Sequence, residues 1–214
     1  MKQRARVILA DDHGVVVDGL IRLLDPEFEV VGTASDGREM LEKSAALHPD
    51  IIVADVSMPL LNGLDALEHL KSSGSGAKVV FLTAYPDPAI ATQAFRLGAV
   101  GYVLKHSCGE ELLTALREVL QGRTYITPRI ADQVLHVLMS GEETSAGVDL
   151  TAREREVLQL LAEGKTMKEI ATILNVSPRT VEFHRRNLSE KTGLNSIAEL
   201  SRFAAKHGLV GNPN

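Results

Sequence analysis

Two apolar runs in this chain end in carboxylates, and that arrangement constrains the fold more than any other feature. Val7-Ile8-Leu9-Ala10 is closed by Asp11 and Asp12; Ile51-Ile52-Val53-Ala54 is closed by Asp55, after which come Val56-Ser57-Met58-Pro59. Short continuous apolar runs are the pattern of strands covered on both faces of a parallel sheet. Such strands carry charge only at the rim, where water or a cation balances it. Val79-Val80-Phe81-Leu82 ends in Thr83, and Gly101-Tyr102-Val103-Leu104 ends in Lys105. Three carboxylates, a hydroxyl and an amine therefore fall at corresponding strand ends, a set able to hold Mg²⁺ and accept a phosphoryl group.

The first 121 residues alternate strand runs, near 6–10, 28–32, 50–55, 78–83 and 100–105, with amphipathic helical patterns. Five β/α units with right-handed crossovers predict a doubly wound, five-stranded parallel sheet of order 2-1-3-4-5. Its ligand crevice opens at the carboxyl ends of strands 1 and 3, where Asp11, Asp12 and Asp55 lie. This first domain is expected over 1–122. Residues 123–148 read as a linker with a short amphipathic helix after Pro128, carrying Ile130, Val134, Leu135 and Leu138, then a small, polar tether over 140–147.

From 149 to 214 no strand is evident, and an all-α unit of four helices is expected. Thr151-Ala152-Arg153-Glu154 is a capping box. Ser177-Pro178 and Ser196 supply further helix starts. The pair 166–174 and 178–191, joined by a three-residue turn, has helix-turn-helix spacing.

Composition narrows the function. Cys108 is the single cysteine, which excludes an internal disulfide and a cysteine-based zinc site. No apolar run approaches the roughly 20 residues of a membrane span, so a cytoplasmic protein without membrane partners is expected. Residues 1–148 hold 13 Lys and Arg against 20 Asp and Glu, whereas 149–214 hold 10 against 8. The C-terminal unit is weakly basic, so a local nucleic-acid contact is compatible with the net acidic chain, but charge alone does not establish one.

In the crevice, Asp55 is placed to attack phosphorus. Asp12 and Asp55 would hold Mg²⁺ directly, Asp11 through water, with the backbone carbonyl of Ser57 completing the oxygen set. Lys105 offers a point charge to the phosphoryl oxygens and Thr83 a hydroxyl donor. An aspartate-based phosphatase would use the same site but needs an acid two residues past the nucleophile, where Ser57 stands. A phosphorylation-independent interaction module with a DNA-binding tail is the other alternative, and the complete set of five residues argues against it.

Residues 5–121 resemble a response-regulator receiver domain of flavodoxin/CheY-like fold, and 149–208 resemble the LuxR-type helix-turn-helix; together they look like the NarL/FixJ family. The resemblance is carried by Asp11-Asp12-His13, Asp55-Val56-Ser57-Met58-Pro59, Thr83-Ala84, Gly101 to Lys105, Leu150 to Leu158, Lys168-Glu169-Ile170-Ala171 and Ser177 to His184. It implies phosphorylation of Asp55 by a sensor histidine kinase, homodimerisation on activation, and promoter binding that regulates transcription. Catalysis is then limited to self-phosphorylation from small phosphodonors and slow self-dephosphorylation. The resemblance also implies a switch in which the Thr83 hydroxyl turns toward the phosphoryl group and the Tyr102 ring moves inward. His106 stands where many receivers carry proline, and Thr192 where the helix-turn-helix family is usually apolar.

On the third helix of the C-terminal unit, Val181, His184 and Leu188 recur with a core-facing period. Glu182, Phe183, Arg186 and Glu190 then point outward, the face a recognition helix presents to the major groove. Arg186 suits guanine, Glu182 cytosine, and Phe183 a thymine methyl. Lys168, Arg179, Thr180, Arg185 and Lys191 flank that face and suit phosphates.

Overall fold

The computed structural model describes residues 4–107, 109–140 and 150–210. The expected tether therefore falls almost entirely outside the described residues. The first half is an alternation of β1 (Arg6–Ala10), α1 (Gly14–Leu24), β2 (Glu29–Ala34), α2 (Gly37–Leu47), β3 (Ile51–Ala54), α3 (Gly63–Ser72), β4 (Lys78–Thr83), α4 (Pro88–Arg96), β5 (Gly101–Leu104) and α5 (Gly109–Leu120). The strands pair in parallel in the order β2-β1-β3-β4-β5, as the run pattern predicts.

Strand side chains alternate between two apolar layers, following the two-residue period of the pleat. Ile8, Ile52, Phe81, Tyr102 and Leu104 pack with Met40, Leu67 and Ala94 on the side of α2, α3 and α4. Leu9, Val53, Val80 and Val103 pack with Val17, Leu24, Leu112 and Leu116 on the side of α1 and α5. With both faces filled, the strand carboxyl ends are where polar side chains are left over.

The segment expected as a linker adds to this body. A sixth strand, β6 (Tyr125–Ile126), pairs in parallel with β5, and α6 (Pro128–Ser140) follows it. Ile130 and Val134 of α6 join the apolar layer that contains α4. Thr127, between the two elements, accepts from the Leu104 amide at 3.1 Å and donates to Glu111 at 2.6 Å, tying the addition to β5 and α5. His106 meets Arg129 of α6 at 3.1 Å, so the position that often carries proline holds a side-chain contact instead.

The C-terminal unit consists of α7 (Ala152–Ala162), α8 (Met167–Ile173), α9 (Pro178–Thr192) and α10 (Ile197–Lys206). Capping boxes start α7 through Thr151 and Glu154, α8 through Thr166 and Glu169, and α10 through Ser196 and Glu199. Ser177 caps α9, with Pro178 in its first turn. The core combines Val157, Leu158, Leu161, Ile170, Val181, Leu188 and Leu200. The Thr192 hydroxyl donates to the Leu188 carbonyl at 2.6 Å and accepts from the Leu194 amide at 3.1 Å, so its polarity is satisfied within the helix end. Among the described residues, no helix is long and apolar enough to cross a membrane.

Candidate metal centre and helix-turn-helix face

The backbone ladder runs into the crevice. The amide of Asp11 donates to Ala34 at 2.9 Å, and that of Asp55 to Ala10 at 2.8 Å. These bonds hold both carboxylates at the sheet edge, each only 5% exposed. The turn beyond Asp55 is equally constrained. The Gly63 amide donates to the Val56 carbonyl at 2.7 Å, and a Cβ at Gly63 would lie 2.2 Å from the Asp55 carbonyl oxygen. Only glycine lets α3 begin this close to the turn.

Lys105 reaches in from the end of β5. Its ammonium lies 2.6 Å from Asp55 and 2.7 Å from Asp11, while its amide donates to the Thr83 carbonyl at 2.8 Å. Burial pushes the Asp55 carboxyl above its ordinary range; Asp11 adds to the push and Lys105 opposes it. Burial works to lower the Lys105 value, but the Asp55 and Asp11 carboxylates outweigh it and hold the ammonium above its ordinary range. One ammonium faces three carboxylates here. The remaining negative charge and the oxygen donors fit a divalent cation.

The ligand atoms of Asp11, Asp12, His13 and Asp55 lie within 4.8 Å of one another. His13 joins this set through Nδ1, 3.0 Å from Asp11 and 2.8 Å from Asp12. In the sequence His13 stands only within the Asp11-Asp12-His13 motif, which assigns it no chemical role. Ser57 follows in the turn; its amide approaches Asp55 at 3.4 Å, and its hydroxyl is buried without a hydrogen-bond partner.

Thr83 is fully buried and accepts from the Tyr85 amide at 3.2 Å. Tyr102 is also fully buried, its ring centroid 6.4 Å from that of Phe81, and its hydroxyl donates to the Tyr85 carbonyl at 2.9 Å. The Tyr102 ring thus already occupies an inward position. Burial raises its phenol strongly, with Asp87 and Asp55 adding to the effect.

The outward face of α9 carries Glu182, Phe183, Arg186 and Glu190 as its period requires. Phe183 is 50% exposed. The Arg186 guanidinium lies 5.8 Å from the Phe183 ring centroid and 3.7 Å from Glu190. Arg179, Glu182, Phe183, Arg185 and Arg186 line one open groove, and Lys168 is exposed at the start of α8. His184 is half-buried, edge-on to Phe183 at 5.6 Å. Two expected phosphate contacts have partners within the unit. Thr180 shares a 2.9 Å hydroxyl contact with the cap residue Ser177, and Lys191 pairs with the buried Glu154 at 2.7 Å.

One set of residues escaped sequence reasoning altogether. Helix α7 docks on the β3–α3 turn through Gln159 and Glu163, and on α3 through Arg155, which pairs with Asp65 at 2.6 Å and with Glu68. Glu156 joins Arg38 and His69 of the first unit, each at 3.0 Å. In sequence these polar positions look like a solvated helix face. Only the fold reveals that Gln159 is fully buried and Glu156 nearly so.

Comparison with known proteins places both units. The family model for the response regulator receiver domain matches residues 7–117, and that for bacterial regulatory proteins of the luxR family matches residues 148–204. The transcriptional regulatory protein MctR of Rhizobium johnstonii is 35% identical over 98% of this chain and 97% of its own length. The oxygen regulatory protein NreC of Staphylococcus carnosus is 36% identical over 96% and 99%. Among solved structures, a LuxR-family two-component response regulator from Aurantimonas is 34% identical with a TM-score of 0.61, covering 64% of this chain and 99% of that one. RcsB of Salmonella enterica serovar Typhimurium, bound to a promoter in the presence of a phosphomimetic, is 26% identical with a TM-score of 0.64, over 95% and 100%.

Proposed function

This chain belongs to the two-component response regulators that join a receiver domain to a LuxR-type helix-turn-helix, and on that premise we propose how its own residues carry the signal. It is a DNA-binding regulator of transcription controlled by phosphorylation. Asp55 is the phosphoacceptor. One of its oxygens attacks phosphorus of a sensor kinase's phosphohistidine, or of a small phosphodonor. The new P–O bond forms as the donor's bond to phosphorus breaks, and that electron pair leaves with the donor group. The observation that carries this reading is the Lys105 ammonium held between Asp55 and Asp11 at the sheet's carboxyl edge, where it also meets the incoming phosphoryl oxygens.

Asp11, Asp12 and Asp55, with the Ser57 carbonyl, are the residues that would hold Mg²⁺. When bound, the ion supplies positive charge against the carboxylates and the transferring phosphoryl oxygens. Thr83 donates its hydroxyl to the phosphoryl group, giving up its acceptance of the Tyr85 amide, and Tyr102 reports that movement through its own bond to Tyr85. The packing of α6 on α4 supports a receiver body that extends past the expected residue 122 through α6, and the DNA-binding unit is the one expected over 149–214. Promoter DNA is read by Arg186, Glu182 and Phe183, with Lys168, Arg179, Thr180, Arg185 and Lys191 toward the phosphates. Two copies pair on adjacent half-sites once phosphorylated, so that the second contact becomes intramolecular.

Incubation with acetyl phosphate and Mg²⁺ is the direct test. The wild-type chain should form one acid-stable, base-labile adduct, and Asp55→Asn should form none. Undiminished labelling of the variant would refute the assignment.

A further inference from the structure

Lys105 brings the positive charge into the crevice, and its place depends on how the end of β5 is held. The last amides of that strand point to opposite neighbours. The Lys105 amide donates toward β4, to the Thr83 carbonyl at 2.8 Å. The Leu104 amide faces the other way, where β6 has already ended at Ile126 and Pro128, which opens α6, cannot extend it. Thr127 fills that gap with its side chain. Its amide donates to the Tyr102 carbonyl at 3.0 Å as the last backbone rung, and its hydroxyl accepts from the Leu104 amide at 3.1 Å as one rung more.

We infer that Thr127 is a positioning residue for phosphoryl transfer: with Glu111 it fixes the main chain that carries Lys105, and so sets the ammonium against Asp55. The inference rests on the reading of Lys105 as the cation that meets the incoming phosphoryl oxygens. A hydroxyl has one proton to give and two lone pairs to offer. Here the proton goes to Glu111 Oε1 at 2.6 Å, a short charge-assisted bond, which leaves a lone pair facing the Leu104 amide. Thr127 is only 4% exposed, so water does not stand in for it.

A lysine places its charge through a flexible four-carbon stem. Such a stem reaches Asp55 at 2.6 Å and Asp11 at 2.7 Å reproducibly only if the Cα it starts from is held. Thr83 and Thr127 hold the chain from its two sides, and the residue after Lys105 is held as well, since His106 meets Arg129 of α6 at 3.1 Å. Electrostatic stabilisation of a transferring group depends on donors that are in place before the reaction. The segment that follows α5 thereby becomes part of the phosphoryl-transfer site, although none of its side chains reaches Asp55.

The test measures the rate of labelling by acetyl phosphate and Mg²⁺ in the full chain, with thermal melts alongside. Thr127→Val keeps the shape and deletes the acceptor, whereas Thr127→Ser keeps the hydroxyl. Thr127→Val should slow labelling by roughly 10-fold, within the ~10²-fold that a misplacement of about 1 Å can cost, while the Mg²⁺ half-saturation stays as in wild type. Thr127→Ser should restore the rate. In a Lys105→Met background Thr127→Val should add nothing, because the group it positions is gone. Should Thr127→Val not fold, Glu111→Ala, which frees the hydroxyl from a half-buried position on α5, carries the same comparison in both backgrounds. A wild-type rate in Thr127→Val, or an equal slowing with and without Lys105, would overturn the inference and leave the reading of Lys105 standing. If Lys105→Met itself labelled as fast as wild type, that reading would fail, and the inference with it.

Discussion

Gln159 of α7 donates its side-chain amide to the main-chain carbonyl of Met58, three residues beyond Asp55, at 2.8 Å. Its carbonyl oxygen accepts from the Asn62 amide at 2.9 Å and from the Asn62 side chain at 3.1 Å. The first helix of the DNA-binding unit therefore grips both ends of the turn that follows Asp55. Any movement of that turn alters the partners of a fully buried amide, and such partners are expensive to lose.

Loosening this grip should separate the two units. Arg155→Ala leaves Asp65, 2% exposed, without its cation, and breaking one side of a buried pair costs about 3–5 kcal/mol. Gln159→Ala strands the Met58 carbonyl and the Asn62 amide. Small-angle scattering should show a larger radius of gyration for both unphosphorylated variants than for wild type. Equal radii would mean that the docking does not depend on these bonds.

Thr83→Ala should leave Asp55 labelling largely intact and weaken phosphate-induced dimerisation, since it deletes a donor needed only after transfer. A ligand shifts a conformational equilibrium only by its differential interaction with the two states. Tyr102→Phe removes the donor to the Tyr85 carbonyl and should cost about 0.5–1.5 kcal/mol of receiver stability, read as a lower thermal midpoint. Dimerisation of Thr83→Ala equal to wild type in analytical ultracentrifugation would contradict the switch role.

On the DNA face, Arg186→Ala should cost about 1–3 kcal/mol at the preferred site and relax its specificity. Lys168→Ala should weaken all sequences alike and reduce the salt dependence by about one counterion. Lys191→Ala should act differently, because its ammonium neutralises the buried Glu154; lost stability should accompany any lost affinity. Gel-shift titrations at two salt concentrations, alongside thermal melts, separate the three behaviours.

The DNA-binding unit should also lose stability on mild acidification. Burial lowers the His207 imidazole below its ordinary 6.5, with Lys206 adding to the effect, and the ring stacks on Phe203 at 4.2 Å. A depressed folded-state value means that the unfolded chain takes up the proton first. The stabilising contribution is complete above pH 6.5 and is lost as pH falls from there through the folded-state value. The thermal midpoint of wild type should drop between pH 7.5 and 5.5 by more than that of His207→Gln. Identical drops would exclude His207 as a contributor.

Much of this was legible in the chain because it is written in local patterns. Apolar runs with polar ends located the five strands and gathered Asp11, Asp12, Asp55, Thr83 and Lys105. Caps located α7 to α10, and the helical period turned Phe183 and Arg186 outward. What the sequence did not disclose depends on contacts between distant segments. The short β6 has too few residues for a period, and α6 becomes part of the receiver only because Ile130 and Val134 meet α4. The polar face of α7 reads as solvated until Asn62 and Asp65 are placed against it. The pairing of Lys191 with Glu154, 37 positions apart, was likewise invisible to an argument about one helix face.

Leu60 gives the docking a thermodynamic meaning. It adopts a left-handed backbone, φ 63°, and its side chain packs against the apolar cluster of the DNA-binding unit rather than its own. A non-glycine residue held there is strained, and the neighbouring unit helps sustain that conformation through Glu163, which accepts the Leu60 amide at 3.0 Å. Parting the units returns this leucine to water. Complete burial of such a side chain is worth roughly 1.5–3 kcal/mol; Leu60 is only partly covered and gains less, and the backbone strain that parting would release works the other way. One borrowed leucine thus leaves only a small net bias toward docking at this point, one that a shift of the turn beside Asp55 is able to reverse.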